Sequence, residues 1–170
     1  MRWVGATTLA LAATSATIAF AASTTMMIGS APSSQLGKQV VVNAQGRTLY
    51  ALSPETSKHL LCKSSECFKR WPPVTVPSRK TKLQAGPGVH GRLGILHRSK
   101  GMLQLTLGGR PLYRYARDHA KGDANGEGIE SFGGTWHAVS ASSTTTPGPS
   151  STPPMAPTTP TTPTTPGYGY

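Results

Sequence analysis

Cysteine is nearly absent from this chain, and the patterns it fails to make remove several classes of function. Only Cys62 and Cys67 occur, and neither lies near the apolar N-terminal stretch, which argues against a lipid anchor of the lipoprotein type. The four residues between them are not the Cys-x-x-Cys spacing of thiol oxidoreductases. No Cys-x-x-Cys-His is present for covalent haem attachment. The serines form no Gly-x-Ser-x-Gly elbow and there is no other catalytic motif, so the expectation is a protein that is not an enzyme. Acids are scarce as well: six Asp and Glu stand against seventeen Lys and Arg, and charge of either sign is missing after Glu130.

These gaps divide the chain. Residues 1–22 read as a secretory signal, with Arg2 as a thin positive region, an Ala/Thr/Leu-rich apolar stretch, and small residues at Ala19 and Ala21 suited to cleavage. Thr7, Thr8, Thr14, Ser15 and Thr17 weaken its partition into a bilayer, which wants about 20 mostly apolar residues, so membrane contact is expected only through export. Residues 23–37 are read as a linker. The uncharged segment 141–170 is almost all Ser, Thr, Pro and Gly and cannot bury enough apolar surface to offset the entropy of ordering it. It is expected to be a disordered tail, extended by its prolines and open to O-linked sugar. Residues 38–140 remain, enough for one small core.

Within that core a motif occurs twice. Residues 105–118 read Leu-Thr-Leu-Gly-Gly-Arg-Pro-Leu-Tyr-Arg-Tyr-Ala-Arg-Asp, and residues 41–55 read Val-Val-Asn-Ala-Gln-Gly-Arg-Thr-Leu-Tyr-Ala-Leu-Ser-Pro-Glu. At an offset of 63, Gly46, Arg47, Leu49, Tyr50 and Glu55 match Gly109, Arg110, Leu112, Tyr113 and Asp118. Each copy closes with a tryptophan and, three residues later, a valine: Trp71 and Val74, Trp136 and Val139. A duplication is implied. β-rich runs at 38–42 and 47–52 flank a turn at 43–46, and runs at 103–107 and 111–116 flank Gly108-Gly109, whose glycines suit the positive φ of a tight hairpin. Alternation puts Tyr113 and Tyr115, with Tyr50 and Leu52, on one face, read as the core side, and Leu112, Arg114 and Ala116 on the other. Further strands are expected at 93–97 and 136–139, and a short helical turn at 64–70 that Pro72 and Pro73 end. The expected fold is a small, mainly β antiparallel domain of two hairpin-containing repeats with little helix.

The spacing Tyr-x-aromatic-x-x-Asp at Tyr113, Tyr115 and Asp118 resembles the secreted repeat of unknown function of bacterial exported proteins and predicted lipoproteins. Gly-Gly-Arg-Pro-Leu-Tyr at 108–113, Gly-Asp-Ala-Asn-Gly-Glu-Gly at 122–128, Gly-Gly-Thr-Trp-His-Ala-Val at 133–139, and Cys62, Cys67 and Trp71-Pro-Pro-Val are similar to its flanks. The resemblance covers roughly residues 38–140. It implies export and no particular activity. The first copy departs from the pattern, with Leu52 for the aromatic and Glu55 for the acid.

Four sets of residues could carry chemistry. Asp118, Asp123, Asn125 and Glu127 place oxygen ligands along a Gly-rich loop as a calcium site does. Gly134 stands where a bidentate Glu would be expected, and a Gly/Asn-stabilised turn is the alternative. Cys62 and Cys67, an even count in an exported protein, are expected to form a disulfide, with a redox pair as the alternative. His59, His90, His97, His119 and His137 have no recognised ligand spacing and are expected to be exposed polar residues, with metal or haem ligation as the alternative. Finally, residues 38–130 hold sixteen Lys and Arg, all but Arg2, against all six acids. For an exported chain this points away from nucleic acid and toward anionic cell-wall polymers, with Arg79, Lys80 and Lys82 as candidate contacts and Lys69, Arg70, Arg92, Arg98 and Lys100 nearby in sequence; the alternative is charge that serves solubility alone. No cofactor is implied. The expectation is an exported cell-envelope binding or structural module, against the alternative of an envelope redox or metal/haem-handling protein.

Overall fold

The computed structural model describes residues 24–142. The expected signal at 1–22 and the tail from residue 143 onward lie outside the described residues. The fold is mainly β, as expected, in three sheets of three strands. In chain order the elements are β1 (Thr25–Ser33), β2 (Lys38–Asn43), β3 (Tyr50–Ser53), α1 (Ser65–Arg70), β4 (Lys82–Ala85), β5 (Leu93–His97), a 3-10 turn (Ser99–Gly101), β6 (Leu103–Leu107), β7 (Arg110–Pro111), β8 (Glu130–Ser131) and β9 (Gly134–Ala138). The sheet orders are β2-β1-β4, β3-β9-β8 and β5-β6-β7. All pairings are antiparallel except that of β1 with β4.

Local chemistry sets the turns. Asn43 Oδ1 accepts from the backbone N–H of Gln45 at 3.0 Å and of Arg47 at 2.9 Å, and Gly46 takes φ 77°, so the chain folds back after β2. Between β6 and β7, Gly108 and Gly109 take φ 59° and 77°, the paired positive values of a two-residue hairpin. Ser64 caps α1 by accepting from Cys67 N–H at 3.1 Å, and the helix ends at Trp71 before two prolines that could not continue it. Cys62 and Cys67 are joined in a disulfide that fixes this helix to the preceding loop.

Three expectations need correction. The linker at 23–37 contains β1, a nine-residue strand paired with both β2 and β4. Gly29 and Pro32 hide it from a reading by alternation, yet it pairs with β2 as β5 pairs with β6 in the second repeat. The expected strand at 111–116 shortens to β7: Leu112 N–H still donates to Leu105 O of β6 at 2.9 Å, but from Tyr113 the chain bridges Tyr50 and Pro73 instead. The tail was expected from 141, but Ala141 N–H donates to Gln39 O at 3.0 Å and Ser142 N–H to Gly88 O at 2.9 Å.

The two repeats interlock around a local two-fold relation. Tyr50 and Tyr113 exchange both backbone hydrogen bonds, each 2.9 Å. Val41 N–H donates to Val139 O and Leu105 N–H to Val74 O; Val139 N–H donates to Leu49 O and Val74 N–H to Leu112 O. Each repeat's Trp-x-x-Val segment is therefore laid against the other repeat's hairpin. Val41 and Leu105 occupy equivalent places although they are 64 residues apart, so the first turn carries one residue more than the second.

The interlocking also changes where the core lies. One cluster holds Tyr50, Leu52, Trp71, Tyr113, Tyr115 and Trp136; a second holds Ile28, Val41, Leu49, Leu105, Leu107 and Leu112. Alternation assigns Tyr50 and Tyr113 correctly to a core face, but the opposite face at Leu49 and Leu112 is buried too, while Arg114 and Ala116 are exposed. The central segments are covered on both sides.

Candidate functional site

The tyrosines and acids of the duplicated motif meet across the two-fold relation. Tyr50 of the first copy donates its hydroxyl to Asp118 Oδ2 of the second at 2.6 Å, and Tyr113 of the second donates to Glu55 Oε2 of the first at 2.8 Å. Trp71 and Trp136 stack between the pairs, ring centroids 3.9 Å apart and planes 5° from parallel. The motif is thus a reciprocal clasp, and the sequence departures in the first copy do not prevent it. Glu55 makes the same bond as Asp118, and Leu52 and Tyr115 both lie in the aromatic core cluster.

The two acids are supported differently. Glu55, fully buried, accepts at Oε1 from Leu61 N–H at 2.9 Å and Cys62 N–H at 3.1 Å, so the disulfide-closed loop wraps it. Arg98 lies 3.8 Å from the same oxygen with its side chain 4% exposed, and it donates to Cys62 O, the Tyr113 hydroxyl and Gln104 Oε1. Asp118 has no such cation. Its Oδ1 accepts from Asn125 N–H and Nδ2–H, each at 3.1 Å, and the Tyr50 hydroxyl accepts from Gly126 N–H at 3.3 Å. A Cβ on Gly126 would fall 2.8 Å from the Trp71 ring, so this loop can approach only as glycine.

Both hydroxyls are pushed above the ordinary tyrosine range. For Tyr50 burial is the main cause, followed by its bond to Asp118; for Tyr113 burial leads, then the Glu55 charge, with Arg98 pulling the other way. An unfolded tyrosine loses its proton near pH ~10, whereas these two hold theirs in the fold. Stability from both pairs is therefore fully present below pH ~10 and falls as pH rises beyond it, because the unfolded state then binds fewer protons. The expected result is alkaline unfolding in which two tyrosinate absorbances rise together with the loss of the native tryptophan signal. The Tyr50→Phe and Tyr113→Phe variants should each flatten that pH dependence. Ionisation of both tyrosines near pH ~10 in the intact fold would contradict the arrangement.

The candidate metal loop does not bring its carboxylates together among the described residues. Besides Asp118, Asp123 Oδ2 accepts from His119 and Ala120 N–H, each at 2.7 Å, bonds that lower its pKa. Glu127 faces His137 Nδ1 at 2.9 Å and accepts from Ala138 N–H at 2.7 Å. Partial burial raises its pKa, but those two bonds outweigh it and the net shift is down. Among the described residues no three His, Cys, Asp or Glu side chains are placed to hold a metal ion. All five histidines are exposed, and both cysteines are fully buried. Arg79, Lys80 and Lys82 are exposed, the first two in a turn closed by Thr81 N–H to Ser78 O and the third on the edge strand β4. Arg98, read from sequence as part of that basic group, is instead the buried partner of Glu55. Gln104, likewise not singled out in the sequence, fixes Arg98 and donates to Leu112 O at 2.7 Å. Its one signal was being the polar residue at a buried place of an apolar strand.

Beside the second copy's motif lies an open groove of ≈ 520 Å³ lined by Asn43, Arg47, Pro72, Arg114, Tyr115, Asp118 and His119, among others. Its counterpart across the two-fold relation, ≈ 340 Å³, is lined by Ala51, Ser53, Arg110 and His137, among others. Arg47 donates to Asp118 O and Arg110 to Leu52 O, so each arginine reaches over to the opposite repeat.

Among the described residues no helix is long and apolar enough to cross a membrane. Residues 94–140, the greater part of the second repeat, match the family model described as a secreted repeat of unknown function. No curated protein and no solved structure is significantly similar to the chain.

Proposed function

We propose, from the premise that residues 94–140 carry a secreted repeat, that the chain is an exported binding module of a bacterial cell envelope whose partners are anionic wall polymers. The observation that carries this reading is the state of its charges. Sixteen Lys and Arg lie between residues 38 and 130, and among the described residues Arg98 is the one Lys or Arg with a carboxylate partner. Glu55 is paired with Arg98 and Asp118 is buried in the clasp, which leaves four acids against the fifteen other Lys and Arg of this segment. Such a surface attracts polyanions over the screening length.

Arg79, Lys80 and Lys82 supply the contact because they are exposed on a turn and an edge strand with no carboxylate beside them. Binding to isolated wall material should fall steeply as the screening length drops from about 10 Å at 0.1 M salt to about 3 Å at 1 M. The Arg79→Ala/Lys80→Ala/Lys82→Ala variant should bind at least ~10-fold more weakly at low salt, on a scale of about 1 kcal/mol per basic residue at an anionic surface. No binding at low salt, or binding indifferent to both salt and the triple substitution, would leave the charge as a solubility feature.

A further inference from the structure

We propose that the groove beside the second motif is a discrete site for one oxyanion, a phosphate or carboxylate, carried on a sugar- or polyol-sized unit. It is separate from the distributed contact at Arg79, Lys80 and Lys82 and would exist whether or not that contact binds wall polymers. Its volume of ≈ 520 Å³ lies within the range of small-molecule sites. Two guanidinium groups, Arg47 and Arg114, and the imidazole of His119 stand on its wall with no carboxylate in salt-bridge contact; the Asp123 carboxylate, bound to His119 N–H, is the nearby acid that Arg47 and His119 attract.

The groove is preorganised. Arg47 is half-buried, its backbone N–H held by Asn43 Oδ1 and its guanidinium by Asp118 O. That bond takes one of five N–H groups and leaves a planar fork for an oxyanion. Asp118 also lines the wall, but both its oxygens are already accepting from Tyr50 and Asn125. Asn43 Oδ1 is taken by two backbone donors, which orients its amide N–H₂ as a further donor. Pro72 and Tyr115 give apolar surface between the polar groups.

The duplication provides an internal comparison. Arg110 repeats Arg47, but Ala51 stands where Arg114 stands, and His137, which replaces Pro72, is paired with Glu127 at 2.9 Å. The same architecture therefore yields one groove with two guanidinium groups that have no salt-bridge partner and one with a single such guanidinium and an imidazole bonded to Glu127. Only the first is suited to an oxyanion.

The test is a two-dimensional NMR titration of the full chain with inorganic phosphate, glycerol 3-phosphate and glucuronate, and with glucose as the uncharged control. Saturable shifts confined to residues 43–47 and 114–119 are expected from at least one anion and none from glucose; which anion saturates separates a phosphate ligand from a carboxylate one. Arg114→Ala, at an exposed position, should weaken binding about tenfold or more, as loss of a hydrogen bond to a charged group does. Arg47→Lys, which keeps the charge but not the fork, should weaken it several-fold. Arg110→Ala should leave it unchanged. Shifts spread over the basic surface without saturation, equal losses in the Arg114→Ala and Arg110→Ala variants, or no shift up to about 10 mM, weaker than a millimolar complex, would each overturn the site. The Arg79/Lys80/Lys82 variant, titrated alongside, should bind these anions normally. Failure of the groove with retained, salt-sensitive wall binding would remove this inference alone.

Discussion

Replacing Glu55 with Ala is expected to destabilise the domain by about 3–5 kcal/mol, the cost of removing one partner from a buried ion pair. Four groups lose their acceptor or counter-charge at once: Arg98, the Tyr113 hydroxyl, and the N–H groups of Leu61 and Cys62. Arg98 cannot turn to water, since its side chain is 4% exposed and held by Cys62 O and Gln104. In a domain of this size the loss corresponds to a fall in melting temperature of more than ~10 °C. A Glu55→Leu/Arg98→Met double variant should recover much of it, because removing both charges removes the uncompensated one. Urea unfolding of the three proteins decides the matter. A cost below about 1 kcal/mol for Glu55→Ala, the level of an exposed pair, would mean that the clasp does not hold the repeats together.

Why this clasp was only half legible follows from what a sequence encodes. Alternation and the offset between Tyr50 and Tyr113 place both tyrosines on a buried face, and Gly108-Gly109 announces its own hairpin, because those are local properties of a strand and a turn. That each tyrosine bonds the acid of the other copy is a property of the interlocking, which no window of sequence contains. The same limit explains Arg98. In sequence it is one more cation in a basic run, and only the fold that brings Cys62, Tyr113 and Glu55 to it makes it a buried partner. β1 was missed for a different reason. Thr-Met-Met-Ile-Gly-Ser-Ala-Pro-Ser has neither alternation nor a β-branched run, and it is held as a strand by pairing with β2 and β4 on either side. The carboxylates at 118–127 have cation-ligand chemistry on paper, yet each finds a protein donor first, since a tight Gly-rich loop brings backbone N–H groups closer than the next acid.

Trp71→Ala is expected to cost about 3–5 kcal/mol, as truncating a fully buried tryptophan does. It should also abolish the far-ultraviolet exciton signal that two indoles stacked at 3.9 Å must give. Trp71 is the hub of the aromatic cluster, with ring centroids of Tyr115 at 4.5 Å and Tyr50 at 5.4 Å in addition to Trp136. The two tryptophans are related by the duplication but differ in one respect. Trp136 Nε1–H donates to Ser131 Oγ at 3.1 Å, whereas Trp71 Nε1 is buried without a partner. An orphaned buried donor costs about 1–3 kcal/mol, so a change that removes it recovers part of what the lost ring volume takes away. Trp71→Phe should therefore be milder than Trp136→Phe, in which a satisfied hydrogen bond goes and Ser131 is left unpaired, even though both erase the exciton signal. Equal costs for the two phenylalanine variants would mean that the Trp71 indole N–H is satisfied by a water molecule, and a larger cost at Trp71 would mean that packing at the hub outweighs the asymmetry in hydrogen bonding.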